Sequence, residues 1–210
     1  MRVKLLAHSP VSKLLESTDR LGSELPIDSF LPHTGFTFTI ERISRACSHQ
    51  LVRHRVASYS QQSQRYVEEK LGGHVVVPES IMENKERSAN FEKLIEMAQS
   101  SYNELTSLGV PKEDARFVLP NATETNLLAT FDGRSLLHFF GLRCCNRAQW
   151  EIRALADAML KEVLRVEPEL FLKAGPYCYQ RGHCDEGRFS CGRMKEVLMK
   201  YEQMRREIRT

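Results

Sequence analysis

Residues 53 to 66, RHRVASYSQQSQRY, bring together the side chains of this sequence with the greatest capacity for chemistry. The stretch holds Arg53, His54, Arg55 and Arg65 among hydroxyl and amide side chains, and no Asp or Glu occurs from residue 42 to residue 67. Guanidinium groups bind phosphate oxygens through paired, charge-assisted hydrogen bonds. Three interpretations are open: a phosphate-binding site, a nucleic-acid patch, or a solvated basic face, which is what most charge runs are.

The spacing within the stretch favours two neighbouring anions, either on different ligands or on different parts of one ligand. Arg53 and Arg55 flank His54, and adjacent side chains point in different directions whatever the backbone conformation. The chain has no glycine-rich phosphate loop, since Gly72-Gly73 is typical of a turn. A nucleotide site would therefore depend on arginines and hydroxyl groups.

The composition limits the classes of protein to consider. The chain has 210 residues, of which 41% are hydrophobic, which is enough for one globular domain with a buried core. Its net charge is only +3, so general adhesion to nucleic acid or to a membrane is not indicated. The apolar run near Met1 is too short and too interrupted for the core of a secretory signal, so we expect neither a secretory signal nor a membrane-spanning stretch, and six cysteines are too few for a disulfide scaffold. We expect a cytoplasmic protein.

The elements that must position these side chains are several helices and a few strands. FTFTIE, residues 36 to 41, alternates in the manner of a strand, and the following ISRACSHQLV predicts a helix that leads into the basic stretch. The strands do not alternate regularly with helices, which indicates an α+β fold with a small central sheet flanked by helices. The other predicted elements are strands over 74–78 and 124–132, a helix over 89–108 capped by Ser88, helices over 133–145 and 148–166, and a charged helix over about 193–209.

The basic stretch also carries a motif with an ordered set of matches further along the chain. Arg53-His54-Arg55 is followed after seven residues by Ser63, and ARFVLP, GRSLLHFF and GLRCCNRAQWEIR come later in the same order. This pattern resembles the flavin-dependent (alternative) thymidylate synthases over roughly residues 36 to 170. The resemblance implies a single domain over residues 1–210, with 171–210 as a cysteine-containing C-terminal extension, in a homotetramer with shared active sites.

The resemblance further implies an activity. Members of that family bind FAD and convert dUMP to dTMP, with 5,10-methylenetetrahydrofolate supplying the carbon and a reduced nicotinamide cofactor, here taken as NADPH, supplying the electrons. The uracil ring is activated without an enzyme nucleophile, and the flavin relays both hydride and the one-carbon unit. Neither a nucleic acid nor a membrane is an expected partner.

The same resemblance assigns roles to individual residues. Arg143 would lie beside the pyrimidine as the catalytic residue and stabilise negative charge on the ring nitrogen, because an arginine keeps its charge where a lysine can lose it. The residues implied to contact dUMP are Gln50, Arg53, Gln61, Gln62, Ser63, Gln64, Arg65, Arg116 and Arg143. The residues implied to bind FAD are Arg53, His54, Arg55, Gln61, Asp132, Arg134 and His138.

The chain departs from the family pattern at a few positions. Ser60-Gln61 stands where many members have Asn-Glu, and both His138 and Asp132 stand where Asn is frequent. Before the FTF strand the family usually has a His and then a Glu-His pair, whereas this chain reads DSFLPHTGFTF with His33 alone. Either FAD is seated differently here, or a loop that seats it lies outside the numbered chain.

Two groups of cysteines allow other interpretations. Zinc-binding residue types occur together near the C-terminus, at Cys178, His183, Cys184 and Cys191. Their spacing lacks a C-x2-C pair, and we expect no metal. Cys144-Cys145 beside Arg143 suggests a thiol nucleophile, which the resemblance argues against.

Two other functions stay open. One is an RNA or single-stranded DNA binding module, for which the stretch offers only Tyr59 and Tyr66 as stacking residues. The other is a flavin- or nucleotide-binding relative without synthase activity.

Overall fold

The computed structural model describes residues 1–17, 25–66 and 71–209. The chain forms two compact units. The first consists of Met1–Ile40, Leu51–Tyr59 and Leu128–Thr210, and the second of Glu41–Gln50 and Ser60–Leu127. The expected α+β class is confirmed, because a small sheet occurs together with many helices.

The sheet has four strands within the described residues, in the order β1-β2-β4-β3. Alternate residues of β2 (Phe36, Phe38, Ile40) and of β4 (Leu127, Ala129, Phe131) are buried, as expected for strands with one face against a core. This alternation is the pattern that predicts β2, whereas the sequence of β4 is mixed and predicts a strand only from the way the segment is bounded. The bounds are β1 Arg2–His8, β2 Gly35–Ser44, β3 Ser58–Gln61 and β4 Glu124–Asp132.

The helices largely follow the sequence prediction, and short 3-10 turns occur at Ile27–His33, Arg116–Val118 and Gly187–Phe189. His33, the residue left from the family's upstream pattern, ends the first of these turns and is exposed. The helix bounds are α1 Val11–Ser17, α2 Arg45–Leu51, α3 Glu79–Met82, α4 Lys85–Ser107, α5 Lys112–Ala115, α6 Gly133–Arg143, α7 Trp150–Val166, α8 Tyr177–Arg181 and α9 Met194–Arg209.

The core of the first unit forms around α6 and α7. Helix α7 packs against α6, β1 and α9, and α8 packs against α6. Phe139 and Phe140 of α6 are fully buried, as are Leu155 and Met159 of α7. Residues 171–209 belong to this core, because Phe171 and Tyr201 are buried in it.

The second unit is built around α4. This helix packs against α3, α5 and the 3-10 turn at Arg116–Val118, and it buries Ile95 and Tyr102. The predicted cap at Ser88 is wrong: the helix begins one turn earlier, where the Asn84 side chain accepts hydrogen bonds from the backbone N–H groups of Glu86 (2.9 Å) and Arg87 (3.0 Å).

The predicted strand over 74–78 is also wrong. Val75 forms a single bridge with Thr123, and no ladder follows. The Gly72-Gly73 turn precedes this segment, and its last residue, Pro78, is the N-cap of α3, so few residues remain for pairing. The sequence did not predict two of the observed strands. β1 is only half-buried and β3, SYSQ, is polar, so neither shows the apolar alternation that marks a strand. Within the described ranges, no helix is long and apolar enough to cross a membrane.

Candidate active site

The first unit contains a cavity lined by most of the basic residues that the sequence singled out. Its volume is about 320 Å³, within the range of small-molecule sites. Four arginines and no carboxylate line it, so it suits an anionic ligand. The lining residues are Arg53, His54, Arg55, Val56, Arg134, Ser135, His138, Leu142 and Arg143.

The loop that carries Arg53, His54 and Arg55 is held by a tyrosine of the same stretch. Helix α2 ends at Leu51, whose carbonyl oxygen accepts from the His54 backbone N–H at 3.1 Å. The Tyr59 hydroxyl lies 3.0 Å from that oxygen and 3.1 Å from the carbonyl oxygen of His54, within donating distance of both. Burial raises the pKa of Tyr59, so it remains a donor. Tyr59 is therefore a structural residue of the site.

The first turns of α6 supply the opposite part of the cavity lining. Arg134 and His138 are four residues apart and lie on one helix face. Gly133 fits closely against the 3-10 turn before β2, since a Cβ there would lie 2.5 Å from Thr34 Oγ1 and 2.8 Å from the Leu31 carbonyl oxygen. The close approach of this glycine fixes where α6 begins.

Asp132 caps α6. Its carboxylate accepts from the Ser135 backbone N–H at 2.8 Å and from the Ser135 hydroxyl at 2.7 Å. Asp132 is not among the residues that line the cavity. Its position gives it a clear role in starting the helix, and its contact with FAD stays a prediction.

His54 and Arg143 are joined by a direct hydrogen bond. Arg143 Nε donates to His54 Nε2 at 2.9 Å, and the His54 ring packs edge-on against Phe139 with 4.9 Å between ring centroids. Burial, the Arg143 charge and His138 together lower the pKa of His54 from 6.5 to about 4. His54 is therefore neutral at pH 7 with its proton on Nδ1, and its acceptor nitrogen orients the guanidinium of Arg143.

This arrangement predicts a loss of stability in acid. The pKa of His54 is lower in the folded chain than in the unfolded chain, so its neutral form stabilises the fold fully above pH 6.5, and this contribution disappears as the pH falls towards 4. His54→Gln keeps an acceptor but cannot titrate. Because His54 is only partly buried, solvent screening reduces the full effect of this shift, and between pH 7.5 and 4.5 we expect the wild type to lose about 1–2 kcal/mol more unfolding free energy than this variant, measured in urea at fixed protein concentration. Parallel pH profiles of the two proteins would contradict the neutral assignment.

Three further arginines of the cavity lack acidic partners. Within the ranges that the structure describes, Arg53, Arg55 and Arg134 form no ion pair with a carboxylate. Their charges are therefore available to an anionic ligand, and such charge-assisted hydrogen bonds are roughly twice as strong as neutral ones.

The second unit has a separate cavity of about 300 Å³. Gln64 and Arg116, both implied dUMP contacts, line it, and Arg116 Nε donates to the Glu113 carbonyl oxygen at 3.0 Å. Arg45, His49 and the exposed Phe117 also line this cavity and were not among the residues expected from the sequence. The four-residue spacing of Arg45 and His49 on the helix before the basic stretch was the available signal. The complete lining is Arg45, His49, Gln64, Arg116, Phe117, Leu119, Pro120 and Asn121.

Arg65 has an acidic partner that the sequence did not indicate. Its Nε and NH2 groups lie 2.7 and 2.6 Å from Glu113 Oε2. Both side chains are about half-exposed, so the pair adds little stability. The absence of carboxylates between residues 42 and 67 therefore does not leave Arg65 unpaired.

The remaining implied dUMP residues of the second unit are not among the lining of either cavity. Gln50 Nε2 donates to the Ala46 carbonyl oxygen at 3.4 Å, and Ser63 Oγ accepts from the Arg65 backbone N–H at 3.2 Å. Gln62 Oε1 accepts from Asn126 Nδ2 at 2.8 Å. Their contacts with dUMP stay predictions.

Gln61 is fixed by two buried hydroxyl groups. Its Nε2 donates to Ser48 Oγ at 3.0 Å and to Thr125 Oγ1 at 3.1 Å. The Ser48 hydroxyl already donates to the Arg45 carbonyl oxygen at 3.0 Å, so it receives the proton of Gln61. Gln61 therefore uses its amide nitrogen as a donor here, and a carboxylate in its place could receive a proton from Ser48 only if that hydroxyl turned away from the Arg45 carbonyl oxygen.

We accordingly predict that Gln61→Glu lowers the unfolding free energy by about 1 kcal/mol, because a donor is replaced by an acceptor at a partly buried position. Gln62→Glu is the matched control, since Gln62 uses its oxygen as an acceptor from Asn126. Urea titrations at pH 7.5 should show a lower midpoint for the first variant and a nearly unchanged one for the second. Equal effects of both changes would refute the donor role of Gln61.

Cys144, the cysteine next to Arg143 in the chain, is not suited to act as a nucleophile. Cys144 is fully buried, and burial raises the pKa of its thiol well above the usual value, so it is unsuited to attack. Three other thiols lie near Cys178, those of Cys145, Cys184 and Cys191. The pKa of Cys178 is raised, mainly by its burial and to a lesser extent by these neighbouring thiols. Among the described His, Cys, Asp and Glu residues, no group of three is arranged to hold a metal ion.

The sequence is similar to known proteins over most of its length. Residues 11–169 match the family Thy1, described as "Thymidylate synthase complementing protein". A flavin-dependent thymidylate synthase from Geobacter sulfurreducens is 51% identical over 205 residues, which cover 97% of this chain and 86% of that protein. One from Pyrococcus furiosus is 45% identical over 84% of this chain and 76% of that protein.

Solved structures share the fold. The UMP/dUMP methylase PolB from Streptomyces cacaoi, bound with 5-Br dUMP, superposes with a TM-score of 0.70 at 21% identity over 83% of this chain and 95% of that one. Thymidylate synthase X from Helicobacter pylori, with FAD and dUMP, gives a TM-score of 0.65 at 22% identity over 81% and 97% of the two chains. Because the sequence match covers residues 11–169 and the closely similar relatives extend across most of both chains, the chain belongs to the flavin-dependent thymidylate synthase family of enzymes.

Proposed function

We propose that this chain methylates dUMP to dTMP, with FAD as cofactor, 5,10-methylenetetrahydrofolate as carbon donor and NADPH as reductant. The observation that carries the proposal is the cavity lined by four arginines in which a neutral His54 holds Arg143. Membership of the family supports the activity, and the solved neighbours that contain dUMP, FAD or 5-Br dUMP support the ligands.

The chemistry of the first cavity fits FAD. Its lining offers guanidinium and imidazole groups and no carboxylate, which suits a dinucleotide with a negatively charged pyrophosphate. Arg53, His54, Arg55, Arg134 and His138 would hold the cofactor, with Gln61 and Asp132 as further contacts. When bound, FAD supplies the hydride and one-carbon transfer chemistry that amino acid side chains lack.

Arg143 would act on the pyrimidine. A uracil ring that loses a proton from its nitrogen becomes anionic, and a fixed guanidinium at that edge stabilises the charge as it forms. The hydrogen bond from Arg143 Nε to His54 Nε2 sets the plane of this guanidinium before substrate arrives. A preoriented cation needs little rearrangement during the reaction, which is the source of its catalytic effect.

The other residues proposed to contact dUMP have side chains that can donate hydrogen bonds to its phosphate and to its uracil ring. We propose that Arg53 also binds dUMP and that the enzyme works as a homotetramer with shared active sites in the cytoplasm. The further residues proposed to contact dUMP are Gln50, Gln61, Gln62, Ser63, Gln64, Arg65 and Arg116.

A reconstitution experiment tests the ligand part of the proposal. Purified chain incubated with FAD and passed through a desalting column should retain a flavin absorption spectrum, and added dUMP should perturb that spectrum. Light scattering during size-exclusion chromatography should give the mass of a tetramer. Colourless protein after reconstitution would refute the flavin assignment. Salt-sensitive binding of an oligonucleotide that dUMP does not displace would instead support a nucleic-acid-binding module.

A further inference from the structure

The short helix α8 lies outside the residues that match the family, and it reaches the cofactor cavity through one tyrosine. The Tyr177 hydroxyl forms a hydrogen bond with Nδ1 of His138, and the two ring centroids are 6.0 Å apart. His138 lines the arginine-rich cavity, whereas Tyr177 does not. The family match ends at residue 169, so it gives no role to this contact.

The position of Tyr177 is fixed on three sides. A Cβ at Gly141 of α6 would lie 2.5 Å from the Tyr177 ring, so the ring packs directly on the helix backbone. The Arg181 guanidinium lies 4.1 Å from the ring centroid. Gln180 Nε2 donates to the Leu137 carbonyl oxygen at 3.0 Å, which ties α8 to α6 beside His138. The hydroxyl is therefore held at His138, because its ring packs on the backbone of α6 and against Arg181 of its own helix.

The hydroxyl can act as donor in this contact. Burial raises the pKa of Tyr177 and outweighs the opposing effect of Arg181, so the phenol keeps its proton. Nδ1 of His138 is then the acceptor, and a neutral imidazole that accepts at one nitrogen carries its proton on the other. Nε2–H is left as the polar group that His138 can present to a ligand in the cavity.

We propose that Tyr177 is a positioning residue that holds His138 as the Nε2–H tautomer, so that His138 donates a hydrogen bond to the cofactor in the arginine-lined cavity. The identity of the cofactor as FAD rests on the proposed function. The tautomer does not, because it is a property of the protein alone.

The first test measures the tautomer. Long-range proton–nitrogen NMR on deuterated, 15N-histidine-labelled protein, before and after FAD is added, distinguishes the two ring nitrogens, and His138→Asn assigns the signals. We expect Nε2 to carry the proton and Nδ1 to have the shift of a hydrogen-bonded acceptor in both samples. A proton on Nδ1 would overturn the proposal whether or not FAD binds.

The second test is a double-mutant cycle on FAD affinity. Tyr177→Phe should weaken FAD binding about fivefold, the usual effect of one neutral hydrogen bond. In the His138→Ala background the same change should alter affinity less than about twofold, because the side chain that Tyr177 orients is gone. Equal losses in both backgrounds would show a general packing role and refute the specific one.

Tyr179→Phe is the matched control for the cycle. Tyr179 lies on the same helix, and no described residue bonds its hydroxyl, while its ring contacts Arg205 and Tyr201. Phenylalanine keeps that ring, so FAD affinity should be unchanged. A loss as large as that of Tyr177→Phe would mean that α8 is sensitive to any change, and it would overturn the assignment to Tyr177.

Discussion

Replacing Arg143 with alanine is expected to slow dTMP formation roughly 100- to 1,000-fold while the protein still binds FAD, because removal of one preorganised group at a developing negative charge has an effect of this size. Arg143 is one of four arginines in the cavity, so the other three remain to bind the cofactor. Single-turnover formation of dTMP, with flavin content measured in the same sample, gives both quantities.

Two further variants make the Arg143 experiment specific. Arg147→Ala removes an exposed arginine that lies next to Arg143 in a neighbouring cavity of the first unit, and it should leave turnover unchanged. Arg143→Lys keeps a positive charge but loses the Nε–H that donates to His54 Nε2, so it should recover only part of the rate. Near-normal turnover of Arg143→Ala would refute the role of this residue in catalysis.

Replacing Arg134 with alanine is expected to weaken FAD binding about 10- to 100-fold, since a charge-assisted hydrogen bond contributes about 1.5–3 kcal/mol. Arg134 projects from the first turn of α6 into the cavity, and no described carboxylate pairs with it. Fluorescence titration of the apoprotein with FAD measures the effect. With saturating FAD the variant should regain most of its turnover.

Arg188→Ala is the control for this prediction. Arg188 is exposed, and its guanidinium lies over the Phe189 ring in the same unit, 4.8 Å from the centroid. Its loss lowers the net charge by the same amount as Arg134→Ala. Equal reductions in FAD affinity would therefore indicate a general charge effect rather than a contact at Arg134.

Elements with a strong periodic pattern were predictable from the sequence. β2 was predicted because its apolar residues alternate, and α6 and α7 were predicted to within a few residues of their ends. The pattern of β4 is mixed in sequence, and its observed bounds were predicted from the way the segment is bounded. The strand predicted over 74–78 does not form, because β-forming residues make a strand only where a neighbouring strand pairs with them along their length, and here Val75 alone is bridged. β1 and β3 were missed because neither shows a clear apolar alternation.

The site was predictable in its residue types and only partly in its contacts. Arg53, His54 and Arg55 are consecutive, and Arg134 and His138 share a helix face, so local spacing indicates that each set can act together. The bond from Arg143 to His54 joins residues 89 positions apart, and the pairing of Arg65 with Glu113 joins residues 48 apart. Contacts of this kind depend on tertiary packing, which no short sequence pattern records.

The most direct test of the central claim is anaerobic turnover of dUMP by FAD-loaded protein with 5,10-methylenetetrahydrofolate and NADPH, with dTMP measured by chromatography. We expect dTMP to form in the complete mixture and not when FAD or the folate is omitted. Protein that binds FAD and dUMP but forms no dTMP under these conditions would contradict the proposed activity, and would identify the chain as a nucleotide-binding member of its family without synthase activity.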